Sequence, residues 1–83
     1  MLVAQVVLYS RPGCHLCERA MAALRRLRAT LPFELREIDI ESDPDLERRF
    51  LLEIPVIEVD GVVVASAPVD MAAVRAALSA TRG

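Results

Sequence analysis

A largely apolar run that passes directly into a helical pattern constrains the fold of this chain more than any other feature. Residues 3–9 are rich in valine and leucine with little alternation, which predicts a strand buried on both faces. After a break at residues 10–13, a helix is predicted over residues 14–30, because buried-type residues recur at intervals of three and four: Cys17, Ala20, Met21, Leu24 and Leu27. A second strand over residues 33–40 completes a βαβ unit, whose strands should be parallel with a right-handed crossover.

The second half of the chain predicts a short helix, a hairpin and a final helix. Asp43-Pro44 indicates a helix that begins with Asp43 as its N-cap and runs to about residue 52. The third strand is predicted to open at Ile54-Pro55-Val56, and Asp60-Gly61 is typical of a two-residue hairpin turn into a returning strand over residues 62–65. Ser66-Ala67-Pro68 is predicted to start the last helix, with three core residues on one face: Met71, Val74 and Leu78.

The order β-α-β-α-β-β-α predicts an α/β fold with one mixed four-stranded sheet and helices on both faces. Residues 33–40 are more polar than the first strand, which places the second strand at a sheet edge. With 83 residues the chain is predicted to form a single domain over residues 1–83.

Composition and charge narrow the functional class. The two cysteines are three positions apart, so a bond between them would join no distant segments, unlike the disulfides of small secreted proteins. The first residues are typical of a strand and not of a signal peptide. No apolar run is long enough to span a membrane. The net charge is −2 and the arginines, including Arg25-Arg26 and Arg48-Arg49, are scattered as on solvated helix faces. We therefore expect a cytoplasmic monomer that binds neither nucleic acid nor membranes.

The cysteine pair lies where the first strand hands over to the first helix. The first helical turn has unpaired N–H groups and a partial positive charge, both of which stabilise a thiolate at Cys14. The pKa of a cysteine in such a position falls from about 8.5 to between about 3.5 and 7.5. Cys17 belongs to the apolar stripe and should be poorly exposed. We therefore predict that Cys14 is an attacking nucleophile and Cys17 a resolving thiol that closes a disulfide with it.

Several neighbours are candidates for a supporting role, each with a plainer alternative. Arg11 either stabilises the thiolate or holds a carboxylate of a thiol substrate, or is an exposed loop residue. His15 either stabilises the thiolate when protonated or is a spacer. Tyr9 is either a core-edge aromatic or a substrate contact. Pro55 lies at a strand start, and a cis bond between Ile54 and Pro55 would leave the N–H and carbonyl of Val56 open to an extended substrate; the residues alone leave the isomer open.

Metal binding is a second way to use a close cysteine pair. A structural zinc site needs four ligands, whereas the chain has two cysteines and one histidine, so a metal or cluster would require a second chain or an external thiol. The haem attachment pattern is interrupted because Glu18 follows Cys17. No metal ligands are therefore assigned within one chain.

The segment from Tyr9 to Cys17 resembles the active-site segment of glutaredoxins, and Ile54-Pro55-Val56 before Asp60-Gly61 resembles their cis-proline strand and hairpin. The Cys-His-Leu-Cys motif is similar to that of small bacterial glutaredoxin-like proteins. The resemblance spans nearly the whole chain. It implies the thioredoxin-like fold, a nucleophilic Cys14, a resolving Cys17 and a cis Pro55 facing them. It also places Arg11 where that family often has a basic residue near bound glutathione.

The chain departs from the family pattern before the last helix. Conventional glutaredoxins have a Gly-Gly pair followed by acidic residues there, which holds the γ-glutamyl end of glutathione. Residues 64–70 contain no glycine, Pro68 lacks an N–H donor, and only Ser66 and Asp70 could contribute. Leu16 also replaces the usual aromatic residue between the cysteines. Glutathione is a candidate co-substrate, and no tightly bound cofactor is expected.

Three functions follow as hypotheses. The first is a thiol–disulfide oxidoreductase, or electron carrier, that reduces protein disulfides or glutathione mixed disulfides through Cys14 and Cys17. The second is a metal or iron–sulfur carrier that uses the same cysteines. The third is a thioredoxin-like binding module in which the cysteines are dispensable.

Overall fold

The computed structural model describes residues 3–81 and has the predicted order of elements. The elements are β1 (Ala4–Ser10), α1 (His15–Arg28), β2 (Phe33–Asp39), a 3-10 turn (Ile40–Ser42), α2 (Pro44–Phe50), β3 (Val56–Val59), β4 (Val62–Ala65) and α3 (Met71–Thr81). Met1, Leu2, Arg82 and Gly83, which the domain prediction includes, lie outside the described residues, so a single domain over the whole chain stays a prediction.

The four strands form one mixed sheet in the order β2-β1-β3-β4. β1 and β2 are parallel, as the βαβ unit predicts, with Ala4 opposite Phe33 and Ser10 opposite Asp39. β3 runs antiparallel to β1 and β4 antiparallel to β3. The more polar β2 lies at a sheet edge, so that prediction is confirmed.

Helices cover both faces of the sheet. Alternate side chains of β1 point to opposite sides, and apolar side chains on both sides pack against helices. Val6 and Leu8 pack in one core with α1 and α3, whose buried members include Leu24 and Leu78. On the other face, Tyr9 of β1 packs with Phe50 of α2 and with two further buried residues: Ile40 and Val56. The predicted architecture, including the helices on both faces, is therefore confirmed.

The hairpin turn is the one that its dipeptide predicts. Asp60 and Gly61 have φ values of 50° and 83°, and a tight two-residue turn of this kind needs a positive φ at both positions. The turn is also fixed to β1, since the N–H of Gln5 donates to Asp60 Oδ1 at 2.8 Å and the N–H of Asp60 donates to the Gln5 carbonyl at 2.8 Å.

The last helix starts later than predicted. α3 begins at Met71 and not at residues 66–68, where the Ala67–Pro68 bond is cis. Asp70 supplies the missing start signal, because its Oδ1 accepts the N–H of Ala72 at 2.9 Å in the first helical turn. The prediction that Pro68 lies at the helix start is therefore wrong, and residues 66–70 form a loop next to the site described below.

Among residues 3–81, the longest helix is α1 with 14 residues, and none of the helices combines the length and hydropathy needed to cross a bilayer.

Candidate active site

Three chain segments meet at one end of the central strands and form the site. β1 ends at Ser10, the loop over residues 11–13 follows, and α1 begins beyond it. β3 runs the opposite way and begins at the same end, with Val56 opposite Tyr9. The start of α1 and the segment before β3 are thereby brought together at the carboxyl end of β1, the end at which α/β folds place their sites.

The two cysteines occupy the start of α1 and are joined by a disulfide. Cys14 is the N-cap residue, its Cα is 5.2 Å from that of Cys17, and its Sγ accepts the N–H of Cys17 at 3.1 Å. Gly13 precedes it with a φ of 77°, a conformation that suits glycine and lets the loop turn into the helix. The sulfur of Cys14 therefore accepts an N–H of the first helical turn that has no partner within the helix.

The surroundings of the two sulfurs differ. Cys17 is 2% exposed, on the side of α1 that faces the sheet, whereas Cys14 is only partly buried. The predicted difference in exposure is confirmed. A partner molecule therefore reaches Cys14 from solvent, while Cys17 is accessible mainly to Cys14.

His15 and Arg11 are both exposed but lie differently. The His15 side chain is 91% exposed, and its Nδ1 is 3.5 Å from a carboxylate oxygen of Glu18 one turn further along α1. Arg11 lines a polar groove beside Cys14 together with three carboxylates: Glu18, Glu37 and Asp39. A substrate carboxylate approaching Arg11 would therefore meet several like charges.

The segment before β3 has the predicted cis bond between Ile54 and Pro55. Pro55 is buried and lines a groove with Leu16 of the cysteine motif, while Ile54 is half-buried and donates its N–H to the Phe50 carbonyl at 3.0 Å. Val56 has no exposed surface, because it pairs with Tyr9 and packs against Phe50. The prediction that the N–H and carbonyl of Val56 lie open to a substrate is therefore wrong.

Tyr9 is a core residue. Its ring lies 4.7 Å from that of Phe50, centroid to centroid. Burial raises the pKa of the Tyr9 hydroxyl above its ordinary value of 10.0, and the hydrogen bond and negative charge of Glu58 raise it further, against a smaller opposing effect of Arg49 and Arg36. Of the two interpretations left open for Tyr9, the core-edge aromatic is confirmed.

An apolar groove lies beside the disulfide and was not predicted from the sequence. It has a volume of about 260 Å³ and runs between α1, Pro55 and the loop before α3. Its walls include Leu16, which is 55% exposed, and three residues near the start of α3: Pro68, Val69 and Met71. The signal in the sequence was Leu16, an aliphatic residue between two cysteines at a helix start.

The loop beside this groove uses its own hydrogen-bond donors. The N–H of Ala67 donates to the Glu53 carbonyl at 3.0 Å, and Pro68 has no N–H. The N–H groups of Ala72 and Ala73 donate to the side chain and the carbonyl of Asp70, at 2.9 Å and 3.1 Å. These four positions therefore present no unpaired N–H to an anionic ligand.

The family model described as Glutaredoxin-like domain (DUF836) matches residues 5–79. The chain belongs to the glutaredoxin-like family. The chain is 31% identical to protein Ne2328 from Nitrosomonas europaea, with a TM-score of 0.84 over 94% of each chain. It is 34% identical to protein XcR50 from X. campestris, with a TM-score of 0.72 over 90% of this chain and 96% of that chain.

This glutaredoxin-like protein also has a more distant structural neighbour. Oxidised thioredoxin from Plasmodium falciparum is 13% identical, with a TM-score of 0.65 over 96% of this chain and 82% of that chain. At this identity the likeness shows the fold alone, and the thioredoxin-like fold implied by the resemblance is thereby confirmed. No curated protein matches the sequence.

Within the described residues, 3–81, no group of three or more His, Cys, Asp or Glu side chains is placed to hold a metal ion.

Proposed function

We propose that this glutaredoxin-like protein is a thiol–disulfide oxidoreductase that reduces protein disulfides or glutathione mixed disulfides. One observation carries the proposal: a partly exposed Cys14 caps α1 and is bonded to a Cys17 that is 2% exposed. Only the thiolate attacks a disulfide, and the N–H of Cys17 is placed to stabilise negative charge on Cys14 Sγ.

The first step uses the reduced protein. The thiolate of Cys14 attacks one sulfur of the substrate disulfide, a bond forms between Cys14 Sγ and that sulfur, and the other substrate sulfur leaves as a thiolate that takes a proton from solvent. Cys14 is the attacking residue because it is the one that a substrate reaches from solvent.

The second step releases the substrate. Cys17, as its thiolate, attacks Cys14 Sγ in the mixed disulfide, the Cys14–Cys17 bond forms, and the second substrate sulfur leaves and is protonated. Two electrons have then passed from the two cysteines to the substrate, which is reduced to two thiols. The arrangement with both sulfurs bonded is the product of this cycle, and an external thiol or reductase returns it to the reduced form.

The cycle needs no resident cofactor, because the two cysteines themselves carry both electrons. Glutathione enters the proposal as a co-substrate, together with Arg11 as a candidate contact for its carboxylate. His15 and Ile54, which flank the sulfurs and the cis-proline bond, are candidate substrate contacts in the same proposal. We continue to predict that the protein is cytoplasmic and monomeric.

A turnover assay with two substrates tests the function. Wild type, Cys17→Ser and Cys14→Ser are compared on a protein disulfide and on a glutathione mixed disulfide. We expect Cys14→Ser to lose both activities and Cys17→Ser to lose turnover of the protein disulfide alone, since a mixed disulfide with glutathione can be resolved by a second glutathione.

Two further observations distinguish this function from the other two hypotheses. If Cys14→Ser leaves the cellular phenotype intact, the chain is a binding module with dispensable cysteines. A stoichiometric metal that survives desalting of anaerobically purified protein, together with no turnover of either substrate, would favour the carrier.

A further inference from the structure

We propose that the face formed by α1 and α3 docks an acidic protein substrate, with an aliphatic side chain next to its reactive cysteine in the apolar groove and its carboxylates against Arg19, Arg26 and Arg75. The inference rests on the proposed function and names the class of substrate.

The apolar groove adjoins the cysteine motif through Leu16. Leu16 lies between the two cysteines in sequence and forms one wall, while Pro55 forms another. Its volume of about 260 Å³ is below the roughly 300–1,000 Å³ of pockets that enclose whole small molecules, so it suits a single side chain. Because the walls are almost entirely alkyl, burial of an aliphatic side chain is favoured there.

A second groove continues from the first along the two helices. It has a volume of about 320 Å³ and shares Ala23 and Met71 with the apolar groove. Its charged lining residues are Arg26 and Arg75, and the charged lining residue of the first groove is Arg19. The two grooves together are therefore lined by three arginines, Thr30 and apolar side chains, without a carboxylate.

The charge of this face is opposite to that of the molecule. The whole chain has a net charge of −2, yet the charged residues that line the two grooves are three arginines: Arg19, Arg26 and Arg75. Glu18 lines the groove on the Arg11 side and neither of the two grooves above. A partner with clustered carboxylates is therefore attracted to this face in particular.

Glutathione fits the same surface less well. The loop that closes the apolar groove offers no unpaired N–H at Ala67, Pro68, Ala72 or Ala73, so a carboxylate of the tripeptide would find no backbone donors at these positions. Arg26, in the second groove, lies ten residues beyond Leu16, about 15 Å along α1 at roughly 1.5 Å per residue. This is more than the roughly 10 Å that an extended tripeptide spans, so a longer ligand is needed to reach Arg26 from the cysteines.

Matched peptide disulfides test the proposal. Two peptides of equal length carry leucine next to the disulfide-bonded cysteine, and differ in having three aspartates or three serines further along. We expect wild type to turn over the acidic peptide at least about fivefold faster (kcat/KM) at low salt, and the ratio to approach one in about 1 M salt, because exposed ion pairs are weak and screened. Replacing the leucine by glycine should lower both rates about tenfold.

Charge reversal locates the surface. Arg26→Glu/Arg75→Glu should reverse the preference in favour of the serine peptide, whereas the control Arg25→Glu/Arg28→Glu, with the same change in net charge on exposed positions that line neither groove, should keep most of it. The readout is a ratio within each variant, so a general loss of folding or activity cancels.

The outcomes separate this proposal from the proposed function. Equal turnover of both peptides by wild type, equal effects of the two double variants, or faster turnover of glutathione disulfide than of the acidic peptide would overturn the docking proposal while leaving the oxidoreductase intact. A wild type that reduces none of these disulfides, or reduces them without Cys14, contradicts the proposed function itself.

Discussion

At the scale of single residues, the two cysteines differ in accessibility because they occupy different positions at the start of α1. Cys17 could be predicted to be buried because it belongs to the apolar stripe of α1, and Cys14 to be accessible because it precedes the helix. The burial of Val56 could not be predicted, since it depends on Tyr9 and Phe50, which approach it from distant parts of the chain. The position of a residue within its own helix or strand can be predicted from the sequence, whereas packing between distant segments cannot.

Tyr9 offers a direct optical test of one such environment, because the chain has one tyrosine and no tryptophan. We expect the phenolate absorbance of the folded protein to titrate above pH 10.0, owing to burial and to Glu58, and that of the urea-unfolded chain to titrate near 10. Glu58→Gln should lower the midpoint of the folded protein.

The sign for stability follows from the same titration. Because the folded state holds the Tyr9 proton more tightly than the unfolded chain, its contribution to the free energy of unfolding is present below about pH 10 and is lost as the pH rises through the raised pKa. A folded midpoint at or below the unfolded one would contradict this environment.

At the scale of secondary-structure elements, starts that rest on a local signal were predictable and the start of α3 was not. Asp43 caps α2 and Asp60-Gly61 forms the hairpin turn, as their local sequence indicates. Ser66-Ala67-Pro68 carries an equally plausible start signal, but the chain instead forms a loop beside Leu16 and Pro55, and Asp70 starts the helix. The sequence therefore contains two adjacent signals for a helix start, of which only the second is used. The loop formed by the first makes contacts with a distant segment, including the hydrogen bond from Ala67 N–H to the Glu53 carbonyl.

The cap of α2 is expected to contribute measurably to stability. Asp43 Oδ1 accepts the N–H of Asp45 at 2.9 Å, so Asp43→Ala should lower the free energy of unfolding by about 1 kcal/mol in urea titrations. Asp43→Asn keeps an acceptor and should stay close to wild type. Equal losses in the two variants would show that the carboxylate acts through its charge and not as a cap.

At the scale of the whole molecule, the sequence predicts the layers better than the order of strands. Periodicity indicates which residues are buried, and the βαβ unit fixes the parallel pairing of β1 and β2. That β3 pairs with the free side of β1, and so brings Pro55 into one groove with Leu16, depends on long-range pairing that no local pattern specifies. The grooves along α1 and α3 were missed for the same reason, because each is built from segments far apart in the chain.

The core between the sheet and α1 should dominate stability in a domain of this size. Leu24 is fully buried, so Leu24→Ala should lower the free energy of unfolding by about 2–5 kcal/mol. Leu52 is 96% exposed, and Leu52→Ala, the same chemical change, should stay within about 0.5 kcal/mol of wild type. Similar losses at both positions in urea titrations would contradict the assignment of the core.

The division of labour between the two sulfurs is tested most directly by alkylation of the reduced protein with iodoacetamide, followed by peptide mass mapping. We predict that Cys14 is labelled well below about pH 8, while Cys17 is labelled at a comparable rate only after unfolding in urea. Slow labelling of both cysteines at the same rate in the folded protein, or labelling of Cys17 first, would contradict it.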